Sequence, residues 1–155
     1  MKSYCNAKKI LDGLWLCDLK AAEYYLFLKQ YNIKYIINLS AQDIKKFTHI
    51  KYIDIPIKDS DLGDISYCVI KKLFDYCADI INMLLINGFN VVINCKRGHH
   101  RSASMIVAYL IKHKGYSLEN AINFIRNKRP LALRGNRNIL FHMITYYEDL
   151  QKISQ

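Results

Sequence analysis

The apolar run at 89–94 (FNVVIN) constrains the fold more than any other segment of the chain. A short strand that is apolar almost throughout is expected inside a sheet whose two faces are both covered. Gly88 separates this run from the stretch 66–87, in which apolar residues recur at helical spacing and predict an amphipathic helix. A buried strand that directly follows such a helix favours a layered α/β arrangement.

Further strands are predicted where β-branched and aromatic residues concentrate, at 14–17, 33–40 and 50–57. Helices are predicted from apolar periodicity and from flanking serine, glycine and proline residues, at 19–32, 102–114, 117–128 and 136–151. The acidic stretch 58–66 contains Gly63 and is predicted to be a loop. Strands alternate with helices first and helices follow, so the predicted fold class is α/β, with a mostly parallel central sheet flanked by helices.

The 155 residues carry a formal net charge of +10. This length predicts a single domain, 1–155, and the charge favours acidic partners such as phosphorylated proteins, nucleic acid or an anionic membrane. No apolar run reaches the ~18–20 residues that a membrane span needs, and the N-terminal segment has no run typical of a secretion signal. The prediction is therefore an intracellular, cytoplasmic protein, with the nucleus as a second compartment.

Five cysteines are present, an odd number, and none of them forms a C-x-x-C pair. This pattern favours free thiols in a reducing compartment over a disulfide framework. Only His99 and His100 lie near Cys95, and no second cluster of metal-ligating residues exists. Neither a metal nor another cofactor is therefore predicted.

A cysteine ends the apolar run, and a short basic loop joins it to the next predicted helix. Cys95 stands at the carboxyl end of a strand, where α/β sheets place ligand sites, and Ser102 falls in the first helical turn. Loop amides and the helix N-terminus can converge on an anion, while Gly98 permits a tight backbone and Arg101 can bind an oxyanion through two N–H groups. Such surroundings stabilise a thiolate, which predicts a phosphate-binding loop with a nucleophilic sulfur at its floor. The alternative is a buried core cysteine followed by an ordinary basic turn.

The segment 94–102, NCKRGHHRS, resembles the signature H-C-x-x-G-x-x-R-[S/T] of dual-specificity phosphatases, within the cysteine-based protein tyrosine phosphatase superfamily. The resemblance extends along nearly the whole chain, through ILDGLWLCDLKAA, NIKYIINLS, KYIDIPIKDSDLGDIS, RSASMIVAYLIKHKGYSLENAINFIRNKRP and YYEDL. It implies the three-layer architecture of tyrosine phosphatases. It also implies hydrolysis of phosphotyrosine and of phosphoserine or phosphothreonine in proteins, through a phosphocysteine intermediate.

The resemblance assigns roles to four residues. It makes Cys95 the nucleophile and Arg101 the phosphate clamp, and it places Ser102 beside the sulfur, where it stabilises the departing thiolate. Aligning DIS at 64–66 with the family places the general acid at Asp59. That residue would protonate the leaving oxygen and then activate water.

Other positions are less firmly aligned or depart from the family. Asp61 and Asp64 compete with Asp59 for the role of the acid. Asn136 resembles the asparagine that braces the phosphate loop, although its spacing after Pro130 is off by about one residue. Asn94 replaces the histidine that precedes the nucleophile in the family, and an asparagine can supply one donor and one acceptor there but no positive charge.

The loop residues expected to contact the phosphate are mostly basic: Lys96, Arg97, Gly98, His99, His100 and Arg101. Lys96 and His99 occupy positions where lipid-phosphate members of the superfamily carry extra cations. Three interpretations therefore remain: a protein phosphatase, a phospholipid, phosphoinositide or RNA 5′-phosphatase on the same scaffold, and a weakly active phosphate-binding module. A second group of cations either widens the basic rim or complements helix ends: Arg126, Lys128, Arg129, Arg134 and Arg137.

Overall fold

Five strands form one sheet in a computed structural model that describes residues 5–58, 65–135 and 137–154. In chain order the strands are β1 (Ala7–Leu11), β2 (Leu14–Cys17), β3 (Ile33–Asn38), β4 (Lys51–Asp54) and β5 (Asn90–Asn94). Across the sheet their order is β1-β2-β5-β3-β4, with β1 and β2 antiparallel and the other neighbouring pairs parallel. The mostly parallel sheet predicted from the sequence is confirmed.

Helices lie on both faces of this sheet. In chain order they are α1 (Leu19–Ala22), α2 (Tyr25–Gln30), α3 (Tyr67–Ile86), α4 (Arg101–Lys114), α5 (Leu118–Lys128) and α6 (Arg137–Ile153). Successive residues of β5 enter different cores, because Ile93 packs with α3 to α6 whereas Val92 packs with α1 and α2. The layered α/β fold class is therefore also confirmed.

Two elements differ from the sequence prediction. The segment 19–32 forms two short helices: Asp18 caps α1 by accepting a hydrogen bond from the amide of Ala21 at 2.8 Å, and the extended backbone of Tyr24 (φ −91°, ψ 97°) precedes α2. Strand β1 is absent from the prediction, because the exposed Lys8 and Lys9 leave AKKIL without an apolar alternation.

Several helix boundaries follow the local sequence. Gly115 ends α4 in the left-handed conformation (φ 70°), and Ser117 caps α5 by accepting from the amide of Asn120 at 3.1 Å. Both boundaries were predicted. Ser66 occupies the cap position of α3 but makes no side-chain capping hydrogen bond, and α4 begins at Arg101, one residue before its predicted start.

The sheet order brings three strand ends around the loop that precedes α4. β5 lies between β2 and β3. Cys17, the last residue of β2, and Asn38, the last residue of β3, both pair with Asn94, the last residue of β5. This edge of a parallel sheet is the usual position of a ligand site. Within the three described ranges, no helix combines the length and the hydropathy that crossing a membrane requires.

Candidate active site

The loop between β5 and α4 encloses a cavity of about 240 Å³. Six residues line it: Cys95, Lys96, Arg97, His99, His100 and Arg101. All of them belong to the loop that the sequence analysis selects. The structure therefore gathers the predicted phosphate-contacting side chains around one opening.

The sulfur of Cys95 lies at the base of this loop, and the residue is 2% exposed. The amide of Gly98 donates to Sγ at 3.2 Å, and the hydroxyl oxygen of Ser102 lies 3.1 Å from the same atom. Ser102 is itself fully buried in the first turn of α4. Because an amide and a hydroxyl both reach the sulfur, the arrangement can hold negative charge there, as a thiolate nucleophile requires.

Arg101 joins this loop to two other segments. Its Nη1 donates to the carbonyl of Leu39 at 3.0 Å and to the carbonyl of Ile57 at 2.6 Å. Leu39 follows β3, and Ile57 precedes the stretch that contains the candidate acids. A guanidinium that is 5% exposed needs such partners, because burying a charged group without hydrogen bonds is costly.

The carbonyl oxygens of the loop bond to the surrounding protein. The four pairs are Leu19 N with Lys96 O (3.1 Å), Arg129 Nη2 with Arg97 O (2.8 Å), Arg129 Nε with Gly98 O (2.7 Å), and Leu133 N with His99 O (2.8 Å). The C=O and N–H of a trans peptide point in opposite directions. Carbonyls that bond outward therefore leave the loop amides directed towards the cavity, where an oxyanion would accept from them.

Arg129 is the functional candidate that sequence reasoning missed. It is 4% exposed and lies beneath the loop, whereas the sequence suggests only that it widens the basic rim or complements a helix end. The direction of a side chain at the end of a helix depends on tertiary packing, so neither periodicity nor charge could have revealed it. The sequence showed only that Pro130 ends α5, which places Arg129 at a helix terminus but does not say where its side chain points.

Gly98 is required by both its backbone and its surroundings. Its φ is +72°, in the left-handed region that side chains disfavour. A Cβ at this position would lie 2.6 Å from the carbonyl oxygen of Cys17 and 2.9 Å from Nη2 of Arg129. The loop thus packs directly against the end of β2, as the predicted tight turn requires.

The two histidines of the loop differ in their surroundings. Nε2 of His100 lies 2.9 Å from the carbonyl oxygen of Arg134, and since a carbonyl only accepts, this nitrogen carries the proton. The pKa of His99 is lowered, first by burial and then by the positive charges of Arg129, His100 and Arg97. These surroundings favour the neutral form of His99, whereas Lys96 and Arg97 are exposed at the rim.

Asn94, which precedes the nucleophile, is fully buried at the end of β5. Its Nδ2 donates to Oδ1 of Asn38 at 3.1 Å, and that oxygen also accepts from the amide and hydroxyl of Ser40. The Oδ1 atom of Asn94 has no hydrogen-bond partner among the described residues. Asn94 therefore supports the turn that follows β3, and this turn presents the Leu39 carbonyl to Arg101.

Three other thiols are poor nucleophiles. Burial raises the pKa of Cys5 to about 11, with a contribution from Asp18, and burial alone raises that of Cys77 to about 12. Burial also raises the pKa of the fully buried Cys17 well above its usual value. All three thiols remain protonated near neutral pH.

Four candidates of the sequence analysis lie outside the described residues: Asp59, Asp61, Asp64 and Asn136. The roles predicted for them stay predictions. In the part of the chain that the structure describes, no group of three or more His, Cys, Asp or Glu side chains is arranged to hold a metal ion.

The geometry can be compared with known proteins. Residues 14–149 match the family described as dual specificity phosphatase, catalytic domain. The chain is 30% identical to Dual specificity protein phosphatase 1 of Arabidopsis thaliana over 94% of its own length and 69% of that protein. It is 31% identical to human Dual specificity protein phosphatase 21, over 93% of this chain and 73% of that one. The crystal structure of human DUSP28 superposes with a TM-score of 0.83 at 22% identity, over 94% of this chain and 95% of that one, which is a likeness of fold.

Proposed function

The chain belongs to the dual specificity phosphatase family, and from this premise we propose the residues by which it hydrolyses phosphorylated proteins. It is a protein-tyrosine/dual-specificity phosphatase that removes phosphate from phosphotyrosine and from phosphoserine or phosphothreonine. The residue roles below extend the family assignment to individual side chains. The loop geometry supports them.

The first step transfers phosphate to sulfur. The Cys95 thiolate attacks phosphorus, a P–S bond forms, and the P–O bond to the substrate breaks. Asp59 donates a proton to the departing oxygen. The loop amides and the guanidinium of Arg101 hold the non-bridging oxygens, since preorganised donors stabilise the charge that develops there.

The second step releases phosphate. A water molecule attacks phosphorus and gives a proton to the Asp59 carboxylate, while the P–S bond breaks and its electron pair returns to sulfur. Ser102 stabilises the departing thiolate, because its hydroxyl oxygen lies 3.1 Å from Sγ. Free phosphate then leaves, and the enzyme regains its thiolate and its protonated acid.

One observation carries this proposal. A buried sulfur and an amide that reaches it belong to one loop after a central strand, and a buried arginine and a serine hydroxyl follow at once in the first turn of α4. An ordinary basic turn would not need a buried guanidinium or a sulfur that accepts from its own loop. These features favour catalysis over the weakly active binding module.

Replacing the nucleophile tests the covalent mechanism. Cys95→Ser should lower phosphate release by ~10⁴-fold or more, while binding of a phosphopeptide remains measurable because the amides and Arg101 persist. Cys68→Ser is the matched control, since Cys68 is exposed and outside the loop, and it should keep wild-type turnover. Turnover of Cys95→Ser within about tenfold of wild type would rule out the phosphocysteine intermediate.

The acid assignment needs its own test, because three aspartates compete for it. Asp59→Asn should lower kcat by ~10²–10³ and should do so less for substrates with a good leaving group. Asp61→Asn is the matched control, from the same segment. If Asp61→Asn shows the leaving-group dependence and Asp59→Asn does not, the acid is Asp61.

The lipid and RNA interpretations depend on extra cations in the loop. Lys96 remains available for such a role, whereas burial and the neighbouring cations lower the pKa of His99 and so disfavour a second charge there. We therefore expect phosphopeptides to be hydrolysed faster than phosphoinositides or 5′-triphosphate RNA. The test compares kcat/KM for these substrates in wild type and Lys96→Ala. If the substitution lowers kcat/KM only for lipid or RNA substrates, the lipid or RNA interpretation is favoured again.

We assign the protein to the cytoplasm as part of this proposal. None of the five cysteines, which all lie within the described residues, forms a disulfide, and this fits a reducing compartment. Fractionation of cells that express the tagged chain would test this, and recovery from an oxidising compartment would contradict it.

A further inference from the structure

A buried arginine lies beneath the phosphate loop, and the proposed chemistry does not use it. Arg129 donates to Gly98 O at 2.7 Å, to Arg97 O at 2.8 Å and to Oδ1 of Asn6 at 2.8 Å. With 4% exposure, its guanidinium is almost completely removed from water. Its hydrogen bonds therefore join the loop and the end of α5 to Asn6, the residue that precedes β1.

Two peptides of the loop depend on this side chain. The carbonyls of Arg97 and Gly98 both bond to Arg129, and Gly98 carries the left-handed φ of +72°. Glycine moves readily between backbone conformations, so a peptide beside it can rotate when its carbonyl loses a partner. Such a rotation would turn an amide away from the cavity. Arg129 thus holds the loop in the conformation that presents its amides to an anion.

A second contact fixes the orientation of Arg129. Asn6 Nδ2 donates to Oδ2 of Asp18 at 3.1 Å. This bond orients the Asn6 amide so that its oxygen, Oδ1, faces Arg129. Asp18 is itself fixed, because its Oδ1 accepts from the amide of Ala21 at the start of α1. The contacts run from the α1 cap through Asn6 and Arg129 to the loop carbonyls.

The charge of Arg129 also acts on the site. Burial lowers its pKa, and nearby Cys17, Asp18 and Cys95 partly offset that effect, so the guanidinium remains charged at physiological pH. A positive charge beneath the loop favours an anion above it. This contribution is separate from the hydrogen bonds, because a lysine would keep the charge but lose the planar two-point contact.

We propose that Arg129, oriented by Asn6, is the positioning residue that keeps the phosphate loop ready to bind an oxyanion. It does not touch the substrate but acts through the Arg97 and Gly98 carbonyls. The proposal deepens the function assigned above and rests on it, since it presumes that phosphate binds over Cys95.

Arg129→Lys, compared with a matched variant, separates positioning from stability. Arg126 lies in the last turn of α5, just before Arg129, and donates to the carbonyls of Ala132 and Leu133, each at 3.0 Å, but it does not bond directly to the phosphate loop. Both substitutions remove a two-point contact with backbone carbonyls. The measurements are tungstate affinity by calorimetry, KM and kcat for p-nitrophenyl phosphate, and Tm.

Arg129→Lys should weaken tungstate binding and raise KM by about tenfold or more, because two loop carbonyls lose their partner. Arg126→Lys should lower Tm by a similar amount but weaken tungstate binding clearly less than Arg129→Lys, because Arg126 reaches the loop only through Leu133. Asn6→Ala keeps the arginine and removes only its orienting contact. It should weaken tungstate binding in the same direction but less, and it gives a readout even if Arg129→Lys fails to fold.

The possible results are distinguishable. Wild-type tungstate affinity in both Arg129→Lys and Asn6→Ala would overturn the positioning role. Equal losses of affinity in Arg126→Lys and Arg129→Lys would also overturn it, since they would indicate only a general loss of stability. A wild-type protein that neither binds tungstate nor hydrolyses aryl phosphate would instead refute the proposed function.

Discussion

Gly98 has a left-handed backbone conformation and also lies very close to the end of β2. Gly98→Ala should destabilise the protein and weaken oxyanion binding, because its Cβ would collide with the Cys17 carbonyl. Gly115→Ala is the control: its φ is +70°, but nothing lies within 4 Å of the added Cβ. The control should lose only the ~1 kcal/mol of left-handed strain, and Gly98→Ala distinctly more. Equal unfolding midpoints of Gly98→Ala and Gly115→Ala in denaturant would contradict this, since they would show that the contact between the new Cβ and the Cys17 carbonyl costs little stability.

Asn94 allows a second prediction for a single residue. Asn94→Ala removes one donor to Asn38 and also an acceptor without a described partner, so the loss of stability should be about 1 kcal/mol. Asn94→Asp should cost more at pH 7, because a buried carboxylate would face the Asn38 oxygen. Burial would raise the pKa of the introduced carboxyl, so the cost should grow as the pH rises above ~4. Urea unfolding at several pH values would measure the stability of both variants. A difference in stability between them that does not change with pH would contradict the prediction.

Single residues also mark how far the sequence could reveal the site. Cys95, Gly98, Arg101 and Ser102 could be selected as candidates from the sequence, because they follow one another at short spacing along the chain. Arg129 could not, since it acts on residues 31 and 32 positions earlier in the chain. Its orientation is decided by packing that no local pattern describes.

At the scale of elements, a polar cluster ties α3 to α4. Burial would raise the pKa of Asp79, but hydrogen bonds from Lys112 and His113 outweigh it and hold that pKa below its usual value. The contacts measure 2.9 Å and 2.8 Å. A depressed carboxyl pKa contributes stability above the unfolded value of ~3.9, and this contribution is lost as the pH falls through the folded value.

Asp79→Asn should therefore lower Tm more at pH 7 than at pH 3. Asp79 is half exposed, so screening limits the effect to about 1–3 °C. Asp12→Asn is the control, because the Lys9–Asp12 pair is 51% and 102% exposed at its two side chains and should contribute nothing measurable. The same Tm loss at both pH values would show that the cluster acts through packing rather than charge.

The elements themselves were largely predictable where one face is apolar. The helix α3 carries a continuous buried stripe that includes Ile70, Phe74 and Ile81, and β5 is buried along its last four residues. Strand β1 lies at the edge of the sheet and exposes both of its lysines. Its pairing is decided by β2 rather than by its own composition, so its sequence does not predict a strand.

For the whole molecule, the net charge of +10 predicts a rate effect. Electrostatic steering should make kcat/KM fall as ionic strength rises, several-fold between about 50 and 300 mM salt, because the Debye length shortens across this range. The fall should be steeper for a phosphopeptide with acidic flanks than for one with neutral flanks. If kcat/KM falls equally with ionic strength for the two peptides, the enzyme attracts only the phosphate group and not the acidic flanks.

The two cores share one sheet, so we expect 1–155 to unfold as a single domain. Trp15, the only tryptophan of the chain, packs in the core of α1 and α2, whereas most of the helical circular dichroism arises from α3 to α6. Both signals should give the same urea midpoint. Two separate midpoints would divide the molecule into independently unfolding parts.

The bond between Arg129 and Asn6 joins residues 123 positions apart. During synthesis, the nucleophile leaves the ribosome well before the residues that hold its loop, since Arg129 and Leu133 follow Cys95 by 34 and 38 positions. A nascent chain can pair β2, β3 and β5 before it can complete the anion site. Long-range closure is also slow relative to local structure. Catalytic competence should therefore be the last property that the folding chain acquires.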